Sequence, residues 1–303
     1  MYLDHPVRDR SSVLSPHTSC AVWVWAAWVV GALLLLPVVG GAAYAVVVAG
    51  SALVLTVWYP GRARSVIVAG RDLTAIAVMY AAVVGLLAAA FRGFTTDHVA
   101  GLFLCFAGAL LVGTVGPVVY TVWVCRRPLA DLGLRRDNWA LTLRLALLFG
   151  GVQFALTLWG YHLPAAEDWV PLLVMALVVG VFESIFFRGF VQGRLEEAFG
   201  SRVGIAGAAV LYGAYHVGYG MGLREMLFLT GLGVVYAVAY ALPRNVFVLW
   251  PLLTPVGSFF ANVEAGDIDL PWASIMGFAD VLALMVAAIW LGARHARRTV
   301  PGG

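Results

Sequence analysis

Glu183 and Arg188 are the two charged residues in the otherwise uncharged run VVGVFESIFFRGFVQG (178–193). Ionisable side chains at membrane depth are costly, so they face a protein interior or a wet cavity and mark function. A carboxylate in such a place can take a proton from water, and a guanidinium can orient a neighbour or a substrate. His216, in VLYGAYHVG (210–218), is a second group able to carry a proton. Ser258 and Asn262, in GSFFAN (257–262), are hydrogen-bonding groups at i and i+4 and so share a helix face. Peptide hydrolysis needs this kind of set: a base for the water and donors aimed at the developing alkoxide.

Other ionisable groups within apolar runs are Arg144 and Asp280. Arg144 sits near the end of its segment and is read as snorkelling to the interface. Asp280 has no sequence-adjacent partner and is assigned no chemical step. Glu196 and Glu197 are read as part of a charged, solvated loop. On an α-helix, residues five apart are separated by ~140°. Arg188 is therefore expected to orient a neighbouring element or a substrate, the alternative being a structural ion pair with Glu183.

Composition determines what must position these groups. Of 303 residues, 62% are hydrophobic and 12% charged, whereas a soluble domain carries about 25% charged residues. A polytopic membrane protein follows. All 19 basic residues are arginine and the net charge is +3, scattered through short loops, which gives no footprint for nucleic acid. Cys20, Cys105 and Cys125 are odd in number and lack CxxC spacing, so neither a disulfide framework nor a zinc knuckle is indicated.

A membrane span needs roughly 20 apolar residues. Ten segments qualify: 20–37, 39–59, 72–92, 99–124, 139–161, 168–190, 203–220, 223–242, 246–263 and 272–293. The first two are divided at Pro37, Gly40 and Gly41, which predict a tight hairpin. The expected fold class is all-α, a bundle of about ten transmembrane helices with no soluble domain, no internal repeat and no cleavable signal peptide. With both termini cytoplasmic, the inner segments hold 15 arginines and the outer loops only Arg92 and Arg224. That is a strong positive-inside bias. Measured from the nearest inner arginine (Arg194, Arg202 or Arg244), Glu183, His216, Ser258 and Asn262 lie ~16–27 Å deep, so all four are able to line one cavity.

Taken together, FESIFFRGF (182–190), VLYGAYHVG and GSFFAN resemble the core of the CPBP family, the CAAX-prenyl-protease and bacteriocin-processing intramembrane proteases also called Abi. That family's pattern is EExxxR on one span, FxxxH on the next and HxxxN on a later one. The basic stretch RRPLADLGLRRDNW (126–139) resembles the segment preceding the core. The resemblance divides the chain into N-terminal helices, 1–125, and a protease-like core, 126–303. It implies an integral protein of a bacterial cytoplasmic membrane that cleaves membrane-associated peptides, with lipid and a peptide or protein substrate as partners. Glu183 and His216 match the water-activating pair, Arg188 the arginine, and Asn262 one oxyanion donor. Three positions depart from the pattern: Ser184 stands for the second glutamate, Tyr212 for the phenylalanine, and Ser258 for the third-motif histidine. A zinc ion held by Glu183 and His216 is the implied cofactor, but a catalytic zinc usually has three protein ligands, and Ser258 removes the obvious third.

Three functions fit the sequence. One is an active intramembrane endopeptidase; another is a protease-like protein that binds peptides or partner helices without cutting. The last is a transporter, for which buried Glu, His and Asp are also expected, though no inverted repeat supports it.

Overall fold

A computed structural model describes residues 16–58, 70–94, 99–158, 165–265 and 270–299. Arg8, Arg10, Arg62 and Arg64, four of the arginines in the inner count, lie outside the described residues. The described chain is helical throughout, without strands. In hydrocarbon every backbone N–H and C=O must be paired within its own segment, and the helix does so. Six helices are long and apolar enough to cross a membrane: Gly70–Phe94, Ala100–Val124, Trp139–Leu156, Trp169–Phe199, Leu223–Ala241 and Ser274–Thr299. The chain is an integral membrane helix bundle, and the other four expected spans are shorter helices within it.

Two of these, α1 (Pro16–Leu34) and α2 (Gly41–Trp58), form the hairpin predicted at the Pro37–Gly41 break. Gly41 turns the chain at φ 61°, a backbone region that glycine enters without steric cost. Tyr44 then donates to the Ala32 carbonyl at 3.1 Å and Trp28 to the Ser51 hydroxyl at 3.0 Å, tying the two helices together. Next come α3 (Gly70–Ala88), then α4 (Val99–Phe106) and α5 (Gly116–Val119), which belong to one long rod, and α6 (Trp139–Leu158).

The central rod is α7 (Ala166–Glu183), a π-helical stretch Ser184–Gln192, and α8 (Gly193–Phe199). Every residue from Ser184 to Gln192 is buried. The span expected at 168–190 thus runs on to Phe199, and Arg194 is buried, donating to Glu197 at 3.2 Å and Thr121 at 3.3 Å. Arg194 is thus packed against protein instead of standing in an exposed loop. Glu196, expected in a solvated loop, is fully buried: it ion-pairs with Arg244 and accepts from Gln192 at 2.8 Å. The reason is helical phase. Glu196 follows Gln192 by one turn on the face turned toward α10 (Leu223–Ala241), where Gln192 also donates to the Ala237 carbonyl at 3.0 Å.

After α9 (Ser201–Ala214) the chain tightens to a 3-10 turn, Tyr215–Tyr219, and closes at Gly220. The span expected at 246–263 is interrupted: Val246–Val248 is a short 3-10 turn, and α11 begins only at Leu253 and ends at Ala265. Pro251 has no N–H for a helical ladder, and Asn245 spends its side chain on the Phe247 N–H and the Arg135 carbonyl. The last helix is α12 (Ser274–Thr299).

Two close approaches place the central rod. At Gly180, a side chain would collide with Pro255 at 2.6 Å and Trp250 at 3.1 Å, so glycine lets α11 lie against α7 one turn before Glu183. At Gly189, a Cβ would overlap the backbone carbonyl of Leu132. Glycine there admits the Leu129–Leu132 turn to the flank of the π-helical stretch. Small residues at such crossings are how membrane helices gain contact without a hydrophobic driving force.

Candidate active site

Glu183 is the last α-helical residue before the π-helical stretch and is 5% exposed. Its two oxygens are held by neighbours on the second motif. Tyr215 donates to Oε1 at 2.5 Å and Tyr212 to Oε2 at 3.2 Å. A carboxylate has about four acceptor sites on its two oxygens, so each oxygen retains a lone pair for another donor.

His216 follows Tyr215 directly and is 7% exposed. Its ring lies 4.1 Å from that of Tyr215, 5.3 Å from Tyr212 and 5.6 Å from Tyr219, measured between centroids. The switch from α to 3-10 geometry at residue 215 leaves carbonyls of the last helical turn short of N–H partners. His216 Nδ1–H meets one of them, donating to the Tyr212 carbonyl at 2.9 Å. That tautomer leaves Nε2 as a lone-pair acceptor. Tyr215 therefore bridges the two motifs, bonding Glu183 with its hydroxyl and packing its ring on His216.

Arg188 does not lie on the opposite side of its helix from Glu183, as α-helical pitch predicts. In a π-helical stretch hydrogen bonds run i→i+5, so residues five apart come round to nearly one face. Both side chains reach Tyr212: its hydroxyl bonds Glu183, and the Arg188 guanidinium lies over its ring, 4.9 Å from the centroid. The expectation that Arg188 orients a neighbouring element fits this contact; the angle behind it was wrong. Arg188 is 1% exposed, and both terminal nitrogens lack hydrogen-bond partners among the described residues, as does the Ser184 hydroxyl one turn earlier. A carboxylate at 184 would sit where the guanidinium has none. Ser184→Glu is expected to raise stability by about 1.5–3 kcal/mol, the worth of a hydrogen bond to a charged group. A lower unfolding midpoint in detergent for the variant would refute that pairing.

The third motif approaches from α11. A Cβ on Gly257 would stand 2.7 Å from the Tyr236 hydroxyl, and the Tyr236 ring is 6.2 Å from that of Tyr212. Ser258 and Asn262 are half-buried. Asn262 donates one amide N–H to the Ser258 carbonyl at 2.8 Å, which leaves its other N–H for a ligand. No described contact joins either residue to Glu183 or His216. Arg144 and Asp280, set aside from the sequence, likewise make no described contact with the site.

The residue types present do not complete a zinc site. Glu183 and His216 offer two donors against the usual three, and among the described residues no three His, Cys, Asp or Glu side chains cluster to hold a metal. What sequence reasoning missed is the tyrosine cage. Tyr212, Tyr215 and Tyr219 stand at −4, −1 and +3 around His216, a spacing that gathers hydroxyls on one side of a helix end.

Residues 164–252 match the family model described as Type II CAAX prenyl endopeptidase Rce1-like. The resemblance to CPBP intramembrane proteases is thus shown for the segment that contains Glu183, Arg188 and His216. It ends before Ser258 and Asn262. No curated protein and no solved structure matches the chain.

Proposed function

We propose that this protein is an intramembrane endopeptidase of the CPBP type, hydrolysing membrane-associated peptides with a water activated by Glu183 and His216. One observation carries the reading: two tyrosine hydroxyls from the helix end that bears His216 fix the buried carboxylate of Glu183 in orientation. Preorganised acids and bases contribute typically ~10²–10⁴-fold to proton-transfer steps. The carboxylate takes one proton as water oxygen bonds to the scissile carbonyl carbon, while Nε2 of His216 accepts the water's other hydrogen in a hydrogen bond. The carbonyl oxygen becomes an alkoxide, for which Ser258 and the second Asn262 N–H are the donors we assign. Collapse breaks the C–N bond, and Glu183 returns its proton to the leaving amine. The two termini lie on the cytoplasmic, arginine-rich side of a bacterial inner membrane in this reading.

None of these steps is routed through zinc, for which the described residues offer only Glu183 and His216 at the site. Peptide cleavage is expected to change by less than about two-fold after treatment with 1,10-phenanthroline, since a lost catalytic water activator would cost far more. Abolition by the chelator, restored by added zinc, would instead make Glu183 and His216 ligands completed by a third donor.

A second reading, binding without cleavage, is favoured by Ser184 and Ser258 at positions where the family carries Glu and His. Incubating the purified protein with a membrane-peptide library separates the two. The protease reading requires fragments from wild type and none from His216→Ala. Retention of peptides by wild type without any fragment would overturn it in favour of binding.

A further inference from the structure

A groove of about 470 Å³, not lined by Glu183 or His216, lies between α12 and the rod that contains α5. Its walls are apolar, with the exposed Val119 on one side and Leu291 on the other. At one end the lining changes to Trp123, Arg294, His295 and Arg298. The Trp123 indole stacks on the His295 ring at 4.7 Å and 21°, which holds the aromatic at the rim. Arg294 and Arg298 are exposed, and neither forms an ion pair with a carboxylate of the described residues. Arg294 instead lies over the Trp290 ring, 5.5 Å from its centroid.

These features specify an amphiphile. The apolar walls belong to membrane-spanning helices and suit an acyl chain, while the rim carries two arginines without a carboxylate partner among the described residues, on the side that the arginine count assigns to the cytoplasm. Tryptophan at that level is typical of the headgroup boundary, and basic pockets between helices on such a side select anionic headgroups. We propose that this groove is a binding site for one anionic phospholipid, its acyl chain against Val119 and Leu291 and its phosphate against Arg294 and Arg298. The assignment is independent of whether Glu183 is a catalyst.

The test is native mass spectrometry of the full-length protein titrated with dioleoylphosphatidylglycerol or dioleoylphosphatidylcholine. Wild type is expected to retain phosphatidylglycerol preferentially. Arg294→Gln with Arg298→Gln is expected to weaken it by about 30-fold, from roughly five-fold per arginine, with phosphatidylcholine little changed. Arg136→Gln with Arg202→Gln removes the same charge elsewhere and is expected to leave the preference intact. Ala288→Trp fills the groove without altering charge and should reduce retention of both lipids. Equal retention of the two lipids by wild type would overturn the proposal, as would equal losses in the groove and control variants. Displacement of phosphatidylglycerol by millimolar inorganic phosphate alone would also overturn it, by showing a simple anion site.

Discussion

Glu183→Gln is expected to lower peptide cleavage by about 10²–10⁴-fold, the contribution of a positioned general base, while leaving the fold intact. The amide is nearly isosteric with the carboxylate. Its Oε1 can still accept from Tyr215, and its Nε2 can donate to the Tyr212 oxygen, so the packing around the buried residue survives. What is lost is the ability to take a proton. The comparison with Tyr215→Phe then separates positioning from chemistry. Removing the 2.5 Å hydroxyl contact frees the carboxylate to rotate without altering its charge. It should cost less than Glu183→Gln and be felt in the rate of turnover more than in substrate affinity. Single-turnover kinetics on a cleaved library peptide would make the measurement. Wild-type rates in Glu183→Gln would remove the glutamate-base mechanism outright.

The largest loss of stability is expected from Arg244→Ala, about 3–5 kcal/mol, the cost of breaking a buried pair by removing one partner. Arg244 pairs with Glu196, whose side chain has no solvent exposure, whereas the arginine is itself only partly buried. With the guanidinium in place the carboxylate has no contact with solvent. Gln192 continues to donate to Glu196 and to the Ala237 carbonyl, but a neutral donor offsets less of a buried charge than a guanidinium does. Glu196→Gln in the same chain should recover much of the loss, because it removes the buried charge whose guanidinium partner is gone. Unfolding midpoints of the two single variants and the double variant in detergent give the coupling directly. Additive losses would show that the pair does not hold α8 to the turn after α10.

The membrane class was legible from composition alone, because a chain with so few charges cannot solvate a surface of soluble-protein size. The hairpin at Pro37–Gly41 was legible for a local reason: two glycines and a proline interrupt an otherwise unbroken apolar run. Glu183, Arg188 and His216 stood out because charge within such a run is costly enough to require a partner or a purpose. Backbone pitch was not legible. The same apolar letters fit α, π and 3-10 geometry, and only tertiary packing around Gly189 and Gly180 accompanies the π-helical stretch that turns Arg188 toward Tyr212.

The role of the tyrosines was hidden for the same reason. Tyr212 reads as a phenylalanine substitute until the distance of its hydroxyl to Glu183 is known. Glu196 shows the limit from the other side. A Glu-Glu pair beside Gly200 looks like a solvated loop, and nothing local contradicts that reading. Its burial depends on Arg244, 48 residues further along, and on α10 lying against the end of the central rod. Sequence alone determined which ionisable groups fall within apolar runs. Which of them meet was decided by helix phase and by close backbone approach, both properties of the packed bundle.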